Sequence, residues 1–235
     1  MAAIADNLQA VKKRIERAAV AAGRNPSAVT LLAVSKTHPA ARIEEAAAAG
    51  QRAFGENYVQ EALQKMDALS GKKGLEWHLI GPLQSNKTRV AAERFDWVHT
   101  VASEKIARRL SEQRPSGLPA LNLLIQVNAS GEASKSGVAP AAAAALALSI
   151  SNLKDIKLRG LMAIPEPGAP RERFHEVNVL YETMRAQFGF DTLSMGMSDD
   201  FEEALQEGAT MVRIGTAIFG DRLQLKRTPI QAREP

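Results

Sequence analysis

The stretch "LLAVSKTHPA", Leu31–Ala40, carries an apolar run into a lysine, Lys36. Side chains alternate along an extended chain, so Leu32, Val34 and Lys36 share one direction. A lysine in that place is either a solvated strand end or a reagent. If it faces a pocket above apolar neighbours, partial desolvation favours its neutral, nucleophilic amine. Two later stretches offer the other half of a site. In "SMGMSDD", Ser194–Asp200, Ser198 is placed to cap a following helix through its hydroxyl, with Asp199 and Asp200 in that helix's first turn. In "RIGTAIFG", Arg213–Gly220, Gly215 permits close backbone approach and Thr216 brings both an N–H and a hydroxyl. Loops of this kind bind phosphate with backbone donors and helix N-termini. A nucleophilic lysine facing a phosphate cup points to a phosphorylated aldehyde as ligand.

Other chemistries have less to stand on. The four histidines, His38, His78, His99 and His175, are widely separated in sequence, and the chain has no cysteine, so neither a metal centre nor thiolate chemistry is expected. No GxSxG elbow, Walker A loop or GxGxxG turn occurs. The composition, 45% hydrophobic and 24% charged over 235 residues, is that of an ordinary globular protein. An aromatic share of 5% argues against a nucleic-acid stacking platform. The net charge of +4 comes from intermixed charges, with only "GKKG" (Gly71–Gly74) and "LKRT" (Leu225–Thr228) as local basic clusters. That bias suits a small phosphorylated ligand, with neither nucleic acid nor membrane as partner. The residues before Asp6 lack the apolar core of a secretory signal and no apolar run approaches ~20 residues, so a cytoplasmic location is expected.

These residues need a frame to bring them together. Ile4, Leu8, Val11, Ile15, Ala18 and Ala22 recur at helical spacing before Gly23 and Pro26, predicting an N-terminal amphipathic helix. After it, eight short apolar runs read as strands: "VTLLAVSK", "RAFGEN", "LEWHLIG", "FDWVHTV", "LNLLIQVN", "LRGLMAI", "TLSMG" and "MVRIGTA". Helix formers at amphipathic spacing lie between each pair, among them the alanine-rich "PAAAAALALS". Alternating strands and helices imply parallel pairing through right-handed crossovers. Eight repeats without a linker favour one α/β domain over residues 1–235, a closed (β/α)8 TIM barrel with an extra N-terminal helix. Reactive groups in such a barrel belong at the carboxyl ends of the strands, where Lys36, Asn57, Ser198 and Gly215–Thr216 all fall.

Six ordered motifs, "AVSKTHP", "FGENYVQEA", "WHLIGPLQSNK", "GLMAI", "LSMGMSDDFEEAL" and "VRIGTAIFG", together resemble the pyridoxal 5′-phosphate homeostasis family, single-domain relatives of the N-terminal barrel of alanine racemase. The resemblance runs over nearly the whole chain. It implies pyridoxal 5′-phosphate as cofactor, Lys36 as its Schiff-base lysine, Ser198, Gly215 and Thr216 as phosphate holders, and Arg213 facing the pyridine nitrogen. Asn57 would be a ring-side contact, against a turn-forming asparagine as the plainer reading. His78 is either a neighbour of the ring or a satisfied core histidine. Met195 and Met197 are packing residues or a wall of the phosphate side. "NASGEASKSG", Asn128–Gly137, would be a cover containing Lys135, or a solvated loop.

Resemblance to alanine racemase also raises the question of a second proton-transfer group. The only tyrosines are Tyr58, just after the second strand, and Tyr181, inside a helical segment, and the chain carries no second β domain. The expectation is therefore a protein that carries, buffers or delivers the cofactor without clear catalytic activity, a monomer whose partners are apo-enzymes that use pyridoxal phosphate. A slow pyridoxal-phosphate-dependent racemase or related lyase is the enzymatic rival, and a lysine Schiff-base aldolase acting on a sugar phosphate the third reading.

Overall fold

Strands and helices alternate from Thr30 onward in the computed structural model, which describes residues 3–130, 136–165, 168 and 171–221. The strands are β1 (Thr30–Val34), β2 (Ala53–Glu56), β3 (Glu76–Leu79), β4 (Trp97–Val101), β5 (Leu121–Val127), β6 (Ile156–Ala163), β7 (Thr192–Ser194) and β8 (Met211–Ile214). Each pairs in parallel with the next and β8 pairs with β1, closing the barrel with Leu32 opposite Arg213 and Ala33 opposite Ile214. The expected strand over "MVRIGTA" is shorter than its apolar run suggests. It stops at Ile214, and Thr216–Phe219 forms a short helix, α9, with Gly215 at its N-cap.

The helices are α1 (Ile4–Ala21), α2 (Ala40–Ala48), α3 (Val59–Ala68), α4 (Thr88–Arg94), α5 (Glu104–Gln113), α6 (Pro140–Ile150), α7 (Arg171–Phe188) and α8 (Phe201–Gln206). In α1 the predicted stripe Ile4, Leu8, Val11, Ile15 and Ala18 is buried, and the helix lies against α2, α8 and α9. The alanine-rich segment is α6, with Pro140 at its first position, where the missing N–H costs nothing.

Alternation along the strands divides the apolar residues into two populations. One face, including Ala33, Phe54, Leu79, Val98, Leu123 and Leu161, packs under the helices as a continuous shell. The other fills the barrel as two small clusters, Leu32, Val34, Ala53, Ile80 and Met211 on one side and Trp97, Leu124 and Met162 on the other. Leu32 and Val34 thus share one direction, as the spacing of "LLAVSK" implied, and that direction is inward. The rest of the interior is polar: His78, His99, Ser194 and Arg213 are all buried.

Candidate active site at the carboxyl ends of the strands

Lys36 sits half-buried in the turn directly after β1. Its two neighbours are fixed by a buried network outside the barrel wall. Ser35 N–H donates to Gly55 O at 3.0 Å, and Ser35 Oγ donates to Glu56 Oε1 at 2.6 Å. On the other side, Thr37 takes a positive φ of 66°, a strained choice for a β-branched residue, while its N–H donates to Glu61 Oε1 at 2.5 Å. Lys65, from α3, ties these together by donating to Ser35 O at 2.7 Å, Glu56 Oε1 at 2.7 Å and Glu61 Oε1 at 2.6 Å. Glu56 is fully buried, and burial pushes its carboxyl above the usual range although Lys65 and Ser35 pull the other way. The backbone around Lys36 is therefore clamped before and after it.

Closure of the barrel brings the end of β8 against that turn. A Cβ on Gly215 would lie 3.2 Å from Val34 O and 3.4 Å from Val34 Cβ, so the Gly215–Thr216 corner borders the end of β1. Arg213, two residues earlier and 4% exposed, lies inside the barrel. It donates from Nη1 to Ser194 Oγ and from Nη2 to Ala163 O, both at 2.9 Å. Burial lowers its guanidinium to about 10, which leaves it protonated at neutral pH. Among the described residues no carboxylate forms an ion pair with it.

The loop after β7 corrects one expectation. Ser198 does not cap α8: Asp200 is the N-cap residue, and its carboxylate turns back to accept Met197 N–H at 2.6 Å. Glu202 and Glu203, not Asp199 and Asp200, occupy the helix's first turn. Gly196 makes the bend possible, with φ of +90° and a position where a Cβ would meet Ala204 Cβ at 2.6 Å. The same corner is tied to β8, since Arg213 N–H donates to Gly196 O at 3.0 Å. Met195 is fully buried in the outer shell and is a packing residue.

Asn57 follows β2 immediately and lines a cavity of about 240 Å3 with Ile80, Thr100, Gln126, Asn128 and Ser136. None of the described lining residues is charged. Gly81, after β3, is packed so closely that a Cβ would sit 2.1 Å from Asn57 O, and its own carbonyl accepts Thr100 Oγ1 at 2.8 Å. The 128–137 loop is pinned at its base, where Asn128 N–H donates to Val138 O and Val138 N–H to Gln126 O, both at 2.8 Å. Lys135 and the "LKRT" cluster lie outside the described residues.

Tyr58 is 60% exposed, whereas Tyr181 is buried and pushed up to about 12 by that burial. Neither lines the 240 Å3 cavity, but Tyr58 lines a second pocket with Asn57, Pro82 and Lys87. His78 is a core histidine, stacked on Trp97 at 5.2 Å between ring centroids. Separation in sequence concealed a pair, for His78 Nδ1 lies 2.9 Å from His99 Nε2. Among the described residues no group of three potential metal ligands forms. Thr100, Gln126, Ser136, Glu56, Lys65, His99 and Ser194 were not legible as site residues, because each reads locally as an ordinary strand, loop or helix position.

An interior arginine, a lysine turn and a glycine–threonine corner at the mouth of a closed parallel barrel define the class of this protein. The chain belongs to the family described as alanine racemase, N-terminal domain, whose model matches residues 2–223. It is 59% identical over 224 residues to the pyridoxal phosphate homeostasis protein of Pseudomonas aeruginosa, covering 94% of this chain and 97% of that one. It is 54% identical over 226 residues to the protein of the same name from Escherichia coli, covering 93% and 97%. PipY of Synechococcus elongatus, solved with PLP bound, is 39% identical with a TM-score of 0.80, covering 92% of this chain and all of PipY. The relatives from Pseudomonas and Escherichia are named for homeostasis and not for a catalysed reaction.

Proposed function

We propose that this chain binds pyridoxal 5′-phosphate covalently through Lys36 and carries, buffers or delivers it, as a binding protein and not a catalyst. The observation that carries this reading is the arc formed by β7, β8, β1 and β2. Strand order puts the positions of Ser198, Gly215–Thr216, Lys36 and Asn57 after four neighbouring strands, and the buried Arg213 on one of those strands forms no ion pair among the described residues. A buried cation that no carboxylate contacts, with only the more distant Asp200 acting on its charge, fits a ligand with anionic and hydrogen-bond-accepting groups. The PLP-bound relative supports the same identity.

When bound, the cofactor supplies an aldehyde for attachment and a ring that withdraws electrons. The chain's own residues do the rest. The Lys36 amine would hold the aldehyde carbon covalently, the aldehyde oxygen leaving as water, from the clamped turn between Ser35 and Thr37. Ser198, Gly215 and Thr216 would offer hydroxyl and N–H donors to the phosphate. Arg213 would serve the ring nitrogen as a donor that keeps its proton. A ring so partnered is a weaker electron sink than one facing a carboxylic acid, which suits retention over turnover. Asn57 contacts the ring's side at the edge of the cavity.

The two tyrosines favour a carrier over a racemase, since Tyr181 is buried and Tyr58 is largely exposed, on a pocket lined by Asn57, Pro82 and Lys87 but not by Lys36. We further propose one barrel domain over 1–235, a cytoplasmic monomer, and apo-enzymes as recipients. Among the described residues no helix is long and apolar enough to cross a membrane. Visible absorption before and after borohydride reduction, followed by mass mapping, tests the reading. Yellow colour, bleaching, and a phosphopyridoxyl mass on Lys36 that Lys36→Ala abolishes are expected. A protein that stays colourless with added pyridoxal phosphate sinks the cofactor assignment, and robust Lys36-dependent turnover of L- or D-amino acids sinks the carrier.

A further inference from the structure

The barrel interior holds a line of polar groups that begins at Arg213 and extends beyond the residues assigned to the ligand. From Arg213 it runs through Ser194 to His99 and His78, with contacts of 2.9 Å, 3.3 Å and 2.9 Å. It ends at Glu76, whose Oε1 lies 3.6 Å from His78 Nε2 and accepts the Trp97 indole N–H. All four residues from Arg213 to His78 are at most 4% exposed. Glu76 opens β3 and lines a cavity with Lys12, Thr30 and Gln51 at the opposite, amino-terminal end of the barrel.

The groups at the two ends, a donor-only guanidinium and an acceptor-only carboxylate, set the direction of the bonds between them. A guanidinium can only donate, so Ser194 Oγ must accept from Arg213. The serine oxygen could accept a second time, but its own proton has no acceptor other than His99 Nδ1 among its described partners, so it is directed there. Burial drives both histidines towards the neutral form, so each ring has one proton to place. With Nδ1 accepting, the proton of His99 sits on Nε2 and is donated to His78 Nδ1. His78 in turn carries its proton on Nε2, the one buried nitrogen of the line that lacks a hydrogen-bond partner among the described residues, aimed at Glu76.

We infer that Ser194, His99 and His78 form a one-directional hydrogen-bond line that positions Arg213 beneath the mouth and runs from it to Glu76 at the far rim. These are positioning residues, acting on the ligand only through Arg213. The consequence for the ligand rests on the pyridoxal-phosphate reading, but the direction of the line does not. A Ser194 that accepts from Arg213 and gives its own proton to His99 is a stronger acceptor than an isolated hydroxyl, and it holds the guanidinium in one orientation.

Nitrogen-15 spectra of the histidine rings, recorded on the full chain without cofactor, test the direction. Both rings should show a protonated Nε2 and an unprotonated Nδ1 at neutral pH. Ser194→Ala should shift the ring nitrogens of His99 and His78 and speed hydrogen exchange at the Arg213 guanidinium. It should also weaken pyridoxal-phosphate binding about tenfold, the loss of one hydrogen bond to a charged group, and move the bound cofactor's absorption maximum. Ser111→Ala, which deletes a buried serine bonded to Lys154 O at 2.6 Å outside the line, should leave all of these unchanged. A proton on Nδ1 of either ring overturns the proposal, as does a Ser194→Ala protein with wild-type guanidinium exchange. Should Ser194→Ala not fold, His78→Phe serves: His99 must keep its proton on Nε2, and a move to Nδ1 refutes the direction. A wild-type protein that takes up no pyridoxal phosphate sinks the functional reading alone, and the ring and guanidinium spectra still decide the line.

Discussion

Two buried polar networks flank the mouth of this barrel, and they are built on opposite principles. Outside the wall, under α3, Glu56 and Glu61 close around the Lys65 ammonium, so the cation is met by carboxylates at contact distance. Inside the wall, Arg213 is met by a serine hydroxyl and a carbonyl, with neutral histidines beyond the serine and the Asp200 carboxylate acting only from beyond contact. The outer network pairs its cation at contact and serves as a clamp for the Lys36 turn. The inner one holds a cation whose contacts are all neutral, which is the arrangement the proposed anionic ligand would complete.

Removing the central cation of the outer network should have the largest effect. Lys65→Met leaves Glu56 and Glu61 without their partner, one of them fully buried, and should cost about 3–5 kcal/mol in urea unfolding. A loss under about 1 kcal/mol would mean that the pair is solvated and that the contrast with Arg213 is false.

Acid should separate the networks by sign. The His78 pKa is lowered to about 3 from 6.5, so between these values the unfolded chain binds the proton that the folded one refuses. This contribution is fully present above pH 6.5 and is lost as the pH falls towards 3, at up to about 1.4 kcal/mol per pH unit. Glu56 is raised above 4.5, so the folded state holds the extra proton. Its effect runs the other way, with stability falling as the pH rises through that window. In unfolding curves across pH, His78→Phe should flatten the acid limb, and Glu56→Gln should remove the smaller decline on the rising side. Variants that shift both limbs in the same direction would break the comparison.

Sequence periodicity carried the frame well because the barrel demands it. A strand with one face under helices and one face in the interior must be short and apolar, and eight such runs with intervening helices have few other closed arrangements. The positions of Lys36, Asn57 and Gly215 just beyond strand ends were legible because the apolar runs stop there. The networks were not. Glu61 and Lys65 read as an exposed i,i+4 pair on a helix, and only the packing of α3 on β2 buries Lys65 to 5% exposure. His78 and His99 lie on adjacent strands, but residues 21 apart carry no local sign of their 2.9 Å contact.

Ser198 shows the same limit at a single residue, and it supplies the smallest effect. Its position before "DDFEEAL" is that of a helix cap, yet Asp200 takes the cap because Gly196 bends the chain and delivers that carboxylate to Met197 N–H. If Ser198 has no part in capping, Ser198→Ala should leave the unfolding free energy within about 0.5 kcal/mol of wild type. Asp200→Ala, which removes the acceptor of Met197 N–H, should cost about 1 kcal/mol. The pair should reverse in a titration with pyridoxal phosphate, where loss of the Ser198 hydroxyl weakens binding more than loss of the Asp200 carboxylate. Equal losses in both assays would return Ser198 to a structural role, and the loop after β7 would then belong with the self-contained clamp and not with the side of the barrel that waits for its ligand.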